Sequence, residues 1–71
     1  MKKDKLIFDL IFSDKTDYEI RVTEYIKDIY NYEDFIKEIK NILIKSKVFI
    51  VSEKVDVNNN SNVIWKIKVK K

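Results

Sequence analysis

Apolar and polar positions follow two different rhythms along this chain. Leu6, Phe8, Leu10 and Phe12 alternate with Ile7, Asp9 and Ile11, the period-two pattern of a strand with one buried face. After a polar loop at 13–17, Tyr18, Ile20 and Val22 resume the alternation against Glu19, Arg21 and Thr23. Closing that loop as a hairpin sets Phe12 opposite Tyr18, Leu10 opposite Ile20 and Phe8 opposite Val22, apolar against apolar at each rung. A second hairpin follows the same logic. Phe49, Val51, Val55 and Val57 lead into the stretch 58–62, and Val63, Trp65, Ile67 and Val69 lead out of it. This pairing predicts Val57 facing Val63, Val55 facing Trp65 and Val51 facing Val69. The asparagines at 58–60 and 62 read as a turn, because asparagine tolerates positive φ better than other residues with a side chain.

Between the hairpins the period changes. Tyr32, Phe35, Ile36, Ile39, Ile42 and Leu43 recur at helical spacing, which predicts a helix at about 32–46. Asn31 suits its N-cap, with Asp34 three residues later and Tyr30 placed to staple onto Phe35. Glu33 precedes Lys37 by one helical turn, and Lys45 and Lys47 suit the negative end of the helix dipole.

The segment 23–30 fits two patterns, since Tyr18, Val22, Tyr25, Ile26 and Ile29 also form a helical stripe. A helix over 17–29 followed by the second helix and the hairpin resembles a winged-helix arrangement with the hairpin as wing. Ile20 matches only the strand period, β-branched residues are frequent, and alanine and glutamine are absent, which favours the strand. The expected fold class is therefore α+β: a single domain over 1–71, ordered ββαββ. Four mostly antiparallel strands come from two hairpins, with one helix packed on one face; the alternative is winged-helix-like.

Composition adds constraints on chemistry. The 71 residues include no histidine, cysteine, glycine or proline. At average usage a chain of this length lacks glycine with a probability of about half a per cent. Gly, Pro and Ala have GC-rich codons, whereas the abundant Lys, Ile and Asn have AT-rich ones, and Arg21 is the one arginine. This reads as an AT-rich genome: a low-GC bacterium, a virus of bacteria or archaea, or a mobile element. Apolar residues make up 45% of the chain, too many for intrinsic disorder and enough for one modest core.

The start, Met1-Lys2-Lys3-Asp4-Lys5, resembles the basic region of a signal peptide. Asp9 interrupts the apolar run behind it, and no small-residue cleavage site follows. No stretch reaches the roughly 18 apolar residues of a membrane span, so the expected location is cytoplasmic, in the host cell if the source is viral.

Without His or Cys, the common metal-ligand sets and nucleophile–base pairs are missing. Asp14 and Asp17 share a loop but fall short of a calcium site. The expectation is a protein that is no enzyme and uses no cofactor, metal, membrane or small-molecule substrate. What remains is surface recognition.

Two surfaces offer themselves. With Trp65, Ile67 and Val69 facing the helix, Lys66, Lys68 and Lys70 project from the opposite face with Lys54 near them. Such a row contacts phosphates in a salt-sensitive way, or guards an edge strand against aggregation. The expected inward position of Phe8, Phe12, Tyr18, Phe49 and Trp65 argues against a base-stacking platform. On the same open face, Ile7, Ile11, Ile50 and Ile64 point outward and make an apolar patch for a protein partner. The functional expectation is a non-catalytic protein-binding module. Its partner would be a host factor or a second copy of itself, as in a phage or mobile-element accessory protein that inhibits a host defence factor. The alternative is a small nucleic-acid-binding regulator using the lysine-rich strand face.

Overall fold

A computed structural model of the chain describes residues 2–27, 31–58 and 62–71. Among them lie two α-helices, α1 (Lys2–Phe12) and α2 (Tyr32–Lys45), and three strands, β1 (Asp17–Arg21), β2 (Phe49–Val57) and β3 (Val63–Lys70). A 3-10 turn, Val22–Glu24, follows β1. The strands form one antiparallel sheet in the order β1-β3-β2. The chain is therefore α+β, as expected, but with a three-stranded sheet and the described order α-β-α-β-β in place of ββαββ. The alternative with a helix over 17–29 is not formed either, because 17–21 is a strand. The expected Tyr30 staple and the middle of the 58–62 turn lie outside the described residues.

The largest departure is at the N-terminus. Leu6, Ile7, Leu10 and Ile11 recur at helical spacing as well as sharing a strand-like alternation, so an apolar run this dense satisfies both periods. As α1, the segment turns Leu10 fully into the core and packs Leu6, Ile7 and Ile11 against it. Phe8 and Phe12 end up on the outside, 65% and 68% exposed, with ring centroids 4.8 Å apart. The predicted inward placement of both is corrected by this change of element. A loop then carries the chain into β1, and Tyr18 ties the two together: its hydroxyl donates to the Asp9 carbonyl at 3.0 Å and shares a 2.6 Å hydrogen bond with Ser13 Oγ.

β1 is short, and it pairs with β3, the last strand of the chain, with Ile20 opposite Trp65 and Tyr18 opposite Ile67. That places β3 in the centre, where Val63, Trp65, Ile67 and Val69 alternate inward with little or no exposure. α2 lays Phe35, Ile36, Ile39 and Leu43 over this face. The helix matches its predicted span to within one residue. Val22, expected to continue a strand, is fully buried in the 3-10 turn. Next to it Tyr25 stacks on Phe35 at 5.6 Å, and burial together with neighbouring Glu24 raises its phenol pKa.

α2 ends in a Schellman motif. The Val48 N–H donates to the Leu43 carbonyl (2.8 Å) and the Lys47 N–H to the Ile44 carbonyl (3.0 Å). Lys47 takes a left-handed conformation with φ 60°, the position that most helices give to glycine. Val48 and Leu43, the residues joined by the first of these bonds, are both buried in the core.

Candidate protein-binding face

The second hairpin decides what the surface offers. Val57 pairs with Val63 and Val55 with Trp65, as the sequence pattern predicts. The predicted pairing of Val51 with Val69 does not form. A β-bulge between Ile50 and Ser52 sets Ile50 opposite Val69 and leaves Val51 60% exposed. Phe49, opposite Lys70, is 60% exposed and not inward as expected.

β2 is an edge strand, so its core-side residues are covered by α2 from one direction only. Val55 and Val57 stay 38% and 55% exposed, and Ile44 on α2 stays 63% exposed. Together with Tyr32 and Ile36 they line an open groove between α2 and β2. Glu53 also lines it. One carboxylate oxygen accepts from the buried indole Nε1–H of Trp65 at 3.0 Å, and the other accepts from Lys40 Nζ at 2.6 Å. The Lys40 hydrogen bond holds the Glu53 carboxyl below the usual glutamate range; burial opposes this, and the Trp65 hydrogen bond adds to it. Among the described residues, no three or more acidic side chains gather as a metal site, and no helix is long and apolar enough to cross a membrane.

The predicted lysine row is present on the open side of the sheet. Lys66, Lys68 and Lys70 are all exposed on β3, and Lys54 stands directly opposite Lys66. β1 brings acids to the same face: Glu19 lies opposite Lys66, and Asp17 opposite Lys68. Asp56 approaches Lys54 at 3.7 Å. No family model matches this chain, and neither a curated protein nor a solved structure matches it. The assignment of a site therefore rests on its own geometry.

The four isoleucines expected to form an apolar patch are not brought together. Ile7 and Ile11 sit on α1 and pack against the core. Ile50 lies opposite core-facing Val69 and is partly buried against the core. Ile64 alone is on the open sheet face, where it lies between Arg21 and Asp56. The residues that do line an apolar surface, Ile44, Val55 and Val57, are not among the expected site residues. Val55 and Val57 carried the right inward orientation in the pattern. What the pattern lacks is the knowledge that their strand lies at the sheet's edge.

Proposed function

We propose that this protein is a non-catalytic protein-binding module whose contact surface is the groove between α2 and the edge of β2. One observation carries the reading: exposed Ile44, Val55 and Val57 adjoin half-buried Tyr32 at a seam where a helix meets a strand whose outer side is unpaired among the described residues. Apolar side chains with a charged rim of Glu33, Lys37 and Lys40 fit the core-and-rim pattern of protein interfaces. The exposed strand edge adds main-chain hydrogen-bonding groups, which protein partners use by strand addition. The AT-rich coding extends the proposal to an accessory protein of a phage or mobile element that inhibits a host defence factor.

Nucleic-acid binding through Lys54, Lys66, Lys68 and Lys70 is the second reading, favoured by the like-charge pair Lys54–Lys66. It is the weaker of the two, because Asp17, Glu19 and Asp56 share the face and oppose phosphate. The exposed first half of α2 carries Glu33, Asp34 and Glu38, so that end of the helix would also repel a groove lined with phosphates.

A photo-crosslinker in place of Ile44 or Val57 tests the choice in nuclease-treated lysate. The expected product is a discrete protein adduct that Ile44→Asp abolishes without changing the circular dichroism spectrum. Binding that requires nucleic acid, weakens steeply with salt and is lost on Lys66→Glu with Lys68→Glu would overturn the first reading.

A further inference from the structure

Resting on that reading of the α2–β2 face, we propose that its occupant is a second copy of this chain, paired edge to edge through β2 about a two-fold axis at Val55. The backbone decides which groups are free. Asn58 donates its N–H to the Asn62 carbonyl across the hairpin end, and in an antiparallel ladder the hydrogen-bonded pairs alternate. Asp56 and Lys54 therefore turn their N–H and C=O groups toward β3, whereas Val57, Val55 and Glu53 turn theirs to the open edge. The β-bulge at Ile50/Ser52 bends the strand away beyond that point, so the free pairing edge is the segment 53–57.

Charge then selects the register. A two-fold axis at Glu53 sets that carboxylate against its own copy, and an axis at Lys54 sets two ammonium groups against each other. An axis at Val55 places Val55 against Val55 of the second copy, in a hydrogen-bonded pair. It also places Lys54 against Asp56 of the second copy, twice by symmetry, in the closer non-hydrogen-bonded positions. Lys54 and Asp56 lie on the open face and pair with each other at 3.7 Å within one chain; across the axis each meets the opposite charge of the second copy in its place. On the other face, the half-exposed Val55 side chains meet beside the two α2 helices, where Ile44 borders the groove. Because this isologous contact uses the same edge of both copies, it closes as a dimer and does not propagate. A lysine on an edge strand ordinarily blocks pairing; here it blocks the registers that lack an acid opposite it.

Sedimentation equilibrium of the purified chain tests this directly. The expected result is a two-chain mass at about 0.1 mM, a concentration suited to an interface below standard size. Lys54→Asp and Asp56→Lys, each alone, set like charges across the axis and weaken the dimer by about tenfold or more. The two together restore it, and circular dichroism reports that all variants remain folded. A single-chain mass for the unmodified protein overturns the dimer, as does a dimer indifferent to the single charge changes. An adduct at Ile44 or Val57 with a different protein, found alongside a monomeric purified chain, sinks this inference while leaving the protein-binding reading intact.

Discussion

Lys47 shows at a single residue how this chain manages without glycine. Its left-handed backbone, φ 60°, costs a residue with a Cβ about 1–2 kcal/mol. The chain bears that cost because the Schellman bonds and the burial of Val48 require the conformation. Lys47→Gly is expected to raise stability by about 0.5–1 kcal/mol in urea titration. Glu53 is the other residue with an outsized role. Glu53→Ala leaves the buried Trp65 indole N–H without its acceptor and is expected to lower stability by about 1–3 kcal/mol. The pH dependence follows from its depressed carboxyl pKa, set first by the Lys40 hydrogen bond. The unfolded chain takes up the proton at a higher pH than the folded one. The stabilisation is thus complete above the ordinary value of 4.5 and is lost as pH falls through the lower folded value. Denaturant titrations from neutral to acid pH are expected to show a shallower acid-side loss for Glu53→Gln than for the unmodified chain. Neither role is legible in sequence, where Lys47 reads as a helix-end cation and Glu53 as one polar position on a strand.

At the scale of elements, legibility tracked how decisively the local pattern separated two periods. In α2 apolar residues recur at helical spacing, with exposed Ile44 the exception, so its span was readable from the chain. β3 alternates Val63, Trp65, Ile67 and Val69 with Ile64 and three lysines, which identified it as a strand with one buried face. α1 carries six apolar residues within seven positions, 6–12, and both periods fit. Packing decided the matter by burying Leu10 and leaving Phe8 and Phe12 outside. This makes a sharp prediction. Leu10→Ala is expected to cost about 2–5 kcal/mol. Phe8→Ser, which would empty a core position if the segment were a strand, is expected to cost about 0.5 kcal/mol or less. Thermal melts of the two variants distinguish the helix from the strand.

For the molecule as a whole, the order β1-β3-β2 is what turns the hairpin into a binding surface. A fourth strand beside β2 would have covered Val55 and Val57; with α1 as a helix, β2 stays at the edge and its free backbone at 53–57 can meet a partner. If that partner is a second copy, the melting temperature rises with protein concentration, because association draws the equilibrium toward the folded state. The sequence by itself determined the class of the fold, the helix at about 32–46, the inward face of β3, the hairpin register at Val55 and Val57, and the exposure of Lys66, Lys68 and Lys70. These follow from local periodicity and from pairing across a short loop. Only the tertiary structure decided that 2–12 is a helix, that β1 crosses to pair with the last strand, that the bulge falls at Ile50/Ser52, and that acids from β1 temper the lysine face. Each of those depends on which distant segment a residue meets, and a one-dimensional pattern records which residues seek burial without recording what will cover them.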